Sequence, residues 1–233
     1  MIVYGKQIVF HILEKHPEII NEIFLTKEIE KSLFNKFNQL KKKIVRPDNM
    51  KAQSLARGGN HQGFLLDIEE YRYATLQEVK QHNFVLVLDG LTDIGNIGAI
   101  IRTAYALGVD AIAVCGLKNL NAAAITRTSS GAMLDIPVCL YQNSADVANE
   151  LKQVGFKLVG ADMNGKNVSE FTKESSNQKI SLILGSEGQG LSKKITSKLD
   201  DKVSIKMNNN FDSLNVSVAA GILIHAIRYK SSK

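Results

Sequence analysis

The 233-residue chain contains only two cysteines, and neither belongs to a closely spaced pair. Cys115 and Cys139 stand outside any CxxC or CxxH pattern, so neither a disulfide framework nor a zinc site is indicated. We expect two buried thiols and no metal. No apolar run approaches the roughly 20 residues that a membrane span needs, and the first residues lack the layout of a signal peptide. These absences predict a soluble, cytoplasmic protein without a membrane partner.

The composition that remains is that of a globular chain with an excess of positive charge. Hydrophobic residues make up 44% of the sequence, which is enough for a sizeable core, and the net charge is +6. A basic balance favours a polyanionic partner, although many proteins that bind nothing acidic share it. The short cluster at 41–46 fits either an RNA contact or a solvated helix end. Charge alone therefore leaves the partner open.

Apolar runs divide the chain into a small αβ unit at 1–68, a polar linker at 69–83 and a larger domain at 84–233. In the larger domain, helical patterns separate near-continuous apolar runs, as expected for a parallel sheet covered by helices on both faces. These runs lie at 84–89, 111–115, 136–141, 156–161, 180–185 and 202–205. Ligands of such sheets bind beyond the carboxyl ends of the strands. The loops that follow the strands are thus the places to search for a site.

The first two candidate loops are LDGLTDIGNIGAIIRTA at 88–104 and LILGSEGQGLS at 182–192. In the first, Asp93 or Asn96 can cap a helix that carries Arg102, which by itself is also compatible with an ordinary cap and a surface arginine. The second has the glycine separation of a phosphate-binding loop, but Leu191 stands where the phosphate-reaching lysine is needed. A nucleoside triphosphatase is therefore not indicated. What remains is a flexible backbone loop with one carboxylate, Glu187.

The third loop is the polar entry to the segment FDSLNVSVAAGILIHAIR at 211–228. The segment predicts a helix with hardly any polar face, which is typical of a buried helix. Ser213 and Asn215 stand at its start, after three consecutive asparagines at 208–210. One of them can serve as a helix cap, worth about 1 kcal/mol, but a cap does not account for five polar residues. A tight surface loop is the alternative, since asparagine tolerates unusual backbone angles.

In this order and at these distances, the three loops resemble the three motifs of the SpoU/TrmH branch of the SPOUT superfamily, RNA ribose 2′-O-methyltransferases. The family patterns are D-P-x-N-x-G-x-I-x-R-S/T-A, L-G-x-E-G-x-G and I-P-M-x-x-x-x-x-S-L-N-V-S-x-A. The resemblance covers about 84–230. The segment at 1–68 is similar to the family's L30e-like substrate-binding domain. YGKQIVFHIL and HQGFLLDI resemble most closely the bacterial branch that methylates a guanosine of 23S rRNA.

The resemblance implies a parallel-sheet domain with a C-terminal trefoil knot, a homodimer with the active site at the subunit interface, and S-adenosyl-L-methionine as cofactor. It implies an RNA partner, rRNA before tRNA, and no metal. Matching motif positions imply that cofactor contacts come from Gly185, Ile205, Met207 and Leu214. The positions that match the family's catalytic and RNA-contacting residues are Asn96, Arg102, Glu187, Ser213 and Asn215.

Two positions depart from the family pattern. Ile94 stands in place of the proline after the motif aspartate, and Lys206 in place of the proline before Met207. Each change frees a backbone angle that proline would fix. Since the five catalytic positions are all present, we expect an active enzyme, and Lys206 adds a potential contact to an RNA phosphate.

Three alternatives stay open at this point. A tRNA ribose methyltransferase shares the three motifs. A non-catalytic RNA-binding or ribosome-assembly protein on the same fold would explain the two lost prolines as decay. A dinucleotide-dependent oxidoreductase is disfavoured, because the first strand of the larger domain is not followed by the glycine fingerprint or by an acidic partner for the ribose.

Overall fold

The computed structural model describes residues 1–171, 178–186, 188–208 and 213–229. The elements are, in chain order, β1 (Ile2–Tyr4), α1 (Lys6–Lys15), β2 (Ile20–Leu25), α2 (Lys31–Gln39), β3 (Lys43–Val45), α3 (Asn49–Leu55), β4 (Phe64–Ile68), α4 (Leu76–Val79), β5 (Phe84–Asp89), α5 (Ile94–Ala106), β6 (Ala111–Cys115), α6 (Ala122–Thr128), β7 (Val138–Tyr141), α7 (Ser144–Gln153), β8 (Lys157–Asn167), β9 (Ile180–Gly185), α8 (Lys193–Thr196), β10 (Asp201–Ser204) and α9 (Val216–Tyr229).

The chain forms two units. The first comprises Met1–Arg72 with Asn121–Leu134, and the second comprises Tyr73–Leu120 with Asp135–Lys233. The predicted boundaries, with residues 84–233 as one domain, stay a prediction, and in the structure residues 121–134 group with the first unit. The reason is that α6 packs against β1 in the first unit.

The first unit is a small sheet with the strand order β1-β4-β2-β3. Strand β4 pairs antiparallel with both β1 and β2, whereas β2 and β3 are parallel. Helix α1 buries Ile8, Val9 and Ile12, which share one helix face, against this sheet. Phe37 of α2 is fully buried in the same core. Helix α3 was not predicted from the sequence, although Asp48 caps it by accepting a hydrogen bond from the Lys51 N–H.

The second unit contains the predicted parallel sheet, with the strand order β10-β8-β9-β5-β6-β7. All of its recorded strand pairings are parallel. The six apolar runs correspond to its strands, although β7 begins two residues later than expected and β8 continues six residues further. Both predicted buried thiols are confirmed, because Cys115 and Cys139 lie in its core.

The sheet brings the candidate loops to one edge. Asp89 and Gly185, the last residues of β5 and β9, are direct partners in the ladder, so the loops that follow these strands start side by side. The chain leaves β5 through Asp93, which caps α5 by accepting from the Asn96 N–H, and α5 packs against α9. Ile94 is the first residue of α5, where proline is favoured but not required.

None of the helices in the described ranges combines the length and the apolar character that crossing a bilayer requires. The trefoil knot stays a prediction, since the segment between β10 and α9 includes residues outside the described ranges.

Candidate active site

A cleft in the second unit is lined by β8, by the loop after β9, by the segment after β10 and by the start of α9. We call the part next to the β9 loop the first lobe and the part next to the β10 segment the second lobe. The first lobe has a volume of about 650 Å³, a size typical of small-molecule sites. The residues that line both lobes are Ala161, Asp162, Met163, Ser213, Leu214 and Ala219.

The loop after β9 folds back on the end of its strand. The Gly190 N–H donates a hydrogen bond to the Ser186 carbonyl over 2.9 Å, and Gly190 has a φ of +65°. A Cβ atom placed on Gly185 would lie 2.1 Å from the Gly190 carbonyl carbon, far inside van der Waals contact. Only glycine fits at position 185, and its absence of a side chain leaves the backbone itself as part of the cleft wall.

A buried carboxylate anchors the far end of this loop. Asp89 is 8% exposed, and its Oδ2 accepts a hydrogen bond from the Ser192 N–H over 2.9 Å. Its Oδ1 accepts from the Ser144 hydroxyl at the start of α7 over 2.6 Å. Sequence reasoning gave Asp89 no role, although a carboxylate that ends a fully apolar strand is a recognisable signal.

Two asparagines join the first and third candidate loops. Asn215 directly precedes α9, and its Oδ1 accepts hydrogen bonds from the Ser217 N–H over 2.9 Å and from the Ser217 hydroxyl over 2.5 Å. It is therefore the cap of α9. Its Nδ2 donates to the Asn96 Oδ1 on α5 over 3.0 Å. The Asn215 amide thus caps α9 and also orients the side chain of Asn96, which lies 119 positions earlier in the chain.

The structure brings most of the predicted site residues to the cleft. The first lobe is lined by Gly185, Ser213, Leu214 and Asn215, and the second by Ile205, Met207, Ser213 and Leu214. Asn96 is connected to the cleft through Asn215. Arg102 is exposed on α5 and is not among the described lining residues. Glu187 lies outside the residues that the structure describes.

Asp162 is a cleft residue that sequence reasoning missed. Its carboxylate lies in β8 and lines both lobes. Its pKa is lowered, first by the hydrogen bond from Lys202 and then by that from the Asn164 N–H, so the group is an anion at neutral pH. The sequence gave little sign of this position, because an acid near the end of a strand usually faces solvent.

Comparison with known proteins identifies both parts of the chain. The model of the SpoU rRNA methylase family matches residues 83–225, and the model described as RNA 2′-O ribose methyltransferase substrate binding matches residues 2–74. A Staphylococcus aureus protein assigned to the TrmH family of tRNA/rRNA methyltransferases is 32% identical over 227 residues, covering 93% of this chain and 90% of that protein. The TrmH-family protein YacO of Bacillus subtilis is 33% identical over 180 residues, covering 74% of this chain and 72% of its own length.

The fold is also found among solved structures. The SpoU methyltransferase AviRb of Streptomyces viridochromogenes, crystallised in complex with AdoMet, superposes with a TM-score of 0.79 at 22% identity. The match covers 97% of this chain and 88% of AviRb. An α/β methyltransferase domain with a parallel sheet, preceded by a substrate-binding domain, is thereby confirmed. The family models and the relatives at 32% and 33% identity show that the chain belongs to the SpoU/TrmH family of RNA methyltransferases.

Proposed function

We propose that this protein transfers the methyl group of S-adenosyl-L-methionine to a ribose 2′-hydroxyl of RNA. The observation that carries the proposal is that the second and third motif loops line one cleft, and that Asn215 of the third loop is hydrogen-bonded to Asn96 of the first. The match of residues 2–74 to a substrate-binding model of 2′-O ribose methyltransferases supports the ribose as acceptor. The net charge of +6 suits an RNA partner.

The cleft fits the proposed cofactor. The missing side chain of Gly185 lets the Gly190 backbone pack against it, so glycine backbone forms this part of the cleft wall and can contact the cofactor. Leu214 supplies apolar contact in both lobes, and Ile205 and Met207 supply it in the second. These four are the residues that we assign to cofactor binding. When bound, S-adenosylmethionine supplies an electrophilic methyl group on a sulfonium.

The reaction asks the protein to align a weak nucleophile and to stabilise the charge that develops on it. Ser213 and Asn215 line the first lobe of the cleft, and we assign them to the orientation of the ribose. The Asn96 Oδ1 accepts a hydrogen bond from the Asn215 amide and so fixes its orientation. We assign Arg102 to the target phosphate and to the developing 2′-oxyanion. A guanidinium offers five N–H donors and no acceptor, so Arg102 serves as a donor rather than as a base. We also assign Glu187 to the catalytic residues, on its position in the second motif.

A guanosine of 23S rRNA is the substrate that we propose, and a tRNA ribose is the alternative. This substrate would place the reaction in the cytoplasm. Unmodified 23S rRNA, 16S rRNA and tRNA are incubated separately with the protein and with S-adenosylmethionine that carries a radiolabelled methyl group. We expect label in 23S rRNA alone and none with Arg102→Ala. Label in tRNA alone would move the assignment to tRNA. Failure to bind the cofactor would favour the non-catalytic RNA-binding alternative.

We also propose that the protein acts as a homodimer through α9. The sequence predicted a helix buried on all sides, yet Val218, Ile222 and Tyr229 are 51%, 40% and 56% exposed in the single chain. These three residues recur at spacings of four and seven, so they form one apolar stripe on α9. An exposed stripe of this kind is typical of a surface that a second chain covers.

Sedimentation of the full chain tests the dimer. We expect a species of twice the chain mass, which Ile222→Lys converts to monomer. Met50→Lys is the matched control, because Met50 is 82% exposed in the first unit, outside the stripe. A monomeric parent protein, or equal behaviour of the two variants, would refute this interface.

A further inference from the structure

Asp162 lies where β8 leaves the regular ladder. Lys202 of β10 is paired with Gly160, but the next residue, Val203, is paired with Lys166. The intervening residues 161–165 of β8 therefore bulge out of register. The bulge carries Asp162 into the wall of both lobes of the cleft.

The carboxylate is held in one orientation by two donors. Lys202 Nζ donates to Oδ2 over 2.8 Å, and the Asn164 N–H donates to Oδ1 over 2.9 Å. The side chains of Asp162 and Lys202 are 22% and 39% exposed, so the pair is partly desolvated. A carboxylate has about four acceptor positions, and these two described donors occupy two of them. Each oxygen can therefore still accept a hydrogen bond from a ligand in the cleft.

The charge balance indicates which part of a ligand fits. The Lys202 ammonium already compensates the negative charge of Asp162, so a second cation gains little there. Neutral donors suit the remaining acceptor positions better. A vicinal pair of hydroxyls matches a carboxylate whose two oxygens are both available, one hydroxyl to each oxygen.

We propose that Asp162 is a specificity-determining residue that accepts hydrogen bonds from the 2′- and 3′-hydroxyls of the cofactor's own ribose. The inference rests on the proposed function, since it takes S-adenosylmethionine as the ligand of this cleft. It assigns the residue a task that none of the three motif loops performs, because Asp162 lies on β8 between the first and second motifs.

Calorimetric binding to the full-length protein tests the inference without turnover. The probes are S-adenosylhomocysteine and 5′-methylthioadenosine, which keeps the ribose diol but lacks the amino-acid end. Asp162→Asn removes the charge and one acceptor and should weaken both ligands by the same factor, about tenfold. Asp146→Asn is the matched control, because Asp146 is an exposed aspartate of α7 that lines neither lobe.

A ligand that lacks one hydroxyl tests the inference on the parent protein, so the result does not depend on whether a variant folds. The 3′-deoxy form of 5′-methylthioadenosine should bind the parent protein about tenfold more weakly than 5′-methylthioadenosine does, and the two should bind Asp162→Asn almost equally. Equal binding of both ligands to the parent would overturn the inference. So would an Asp162→Asn effect on S-adenosylhomocysteine alone, which would place the carboxylate at the amino-acid end. If the parent binds none of these ligands, the proposed function itself fails.

Discussion

The Asn215 Nδ2 donates a hydrogen bond to the Asn96 Oδ1 over 3.0 Å, so the entry to the last helix is tied to the first turn of α5. The same Asn215 caps α9 through its Oδ1. A single amide therefore uses both of its ends, and its orientation is fixed by donors and acceptors on two helices.

This relationship predicts a large loss of activity with a small loss of stability. A hydrogen bond between exposed amides contributes only about 0.5–1 kcal/mol net, so Asn96→Ala should leave thermal unfolding almost unchanged. Methyl transfer should fall by at least about tenfold if the pair orients the ribose. Ser217→Ala provides a comparison, because its hydroxyl contacts the same Asn215 oxygen without reaching Asn96. Equal activities of the two variants would argue against the Asn96 contact.

Gly185→Ala should abolish cofactor binding in a protein that still folds. The added Cβ would meet the Gly190 carbonyl carbon at 2.1 Å, so the loop after β9 must move out of the cleft wall. Gly155→Ala is the matched control. Gly155 has a φ of +86° and open space at its Cβ position, and the substitution costs only backbone strain of about 1 kcal/mol. Calorimetry with S-adenosylhomocysteine distinguishes them, and tight binding by Gly185→Ala would contradict this cleft geometry.

Lys206 should contact an RNA phosphate. It is exposed beside the second lobe, in place of a proline of the family motif. Lys206→Ala should lower the slope of log affinity against log salt by about 0.7 for single-stranded RNA, the value of one phosphate contact. Lys152→Ala is the control, since Lys152 is paired with Asp200 over 2.8 Å. Identical salt slopes for the parent and Lys206→Ala would show that Lys206 does not contact an RNA phosphate.

The thiols should stay unreactive well above neutral pH. Burial raises the pKa of Cys115 to about 12, with smaller contributions from Cys139 and Asp89, and burial raises the pKa of Cys139 to about 11. In the unfolded chain both thiols ionise near 9, so folding stability should decline as the pH rises through 9. A thiol-disulfide reagent at pH 9 should label two groups in the denatured protein and none rapidly in the native one. Fast labelling of the native protein would contradict the burial.

The sequence predicted the sheet of the second unit well because its strands are buried on both faces. An uninterrupted apolar run of six residues such as 84–89 is typical of a strand buried on both faces, and β5 covers those residues in the structure. Helix α3 escaped prediction because Met50 is exposed and only Ala52 is buried, so the segment lacks an apolar stripe. Its cap, Asp48, was the available signal.

Cleft residues could be predicted where a sequence motif specifies the backbone conformation. They could not be predicted where the register between two strands decides which side chains reach the cleft. Gly185 and Leu214 were identified from their motifs and lie at the cleft. Asp162 reaches the cleft through the shift in pairing between Lys202 and Val203, which no local pattern records. The exposure of Ile222 was equally hidden, because an apolar stripe that the same chain covers and one that it leaves exposed have the same sequence.

The position of the transferred methyl group tests the central proposal most directly. RNA methylated with labelled S-adenosylmethionine is hydrolysed completely in alkali, which needs a free 2′-hydroxyl at each cleaved linkage. We predict that the label is recovered in alkali-resistant dinucleotides, because a methylated 2′-oxygen cannot attack the adjacent phosphate. Label recovered in mononucleotides would place the methyl group on a base and contradict the assignment of this cleft to ribose methylation.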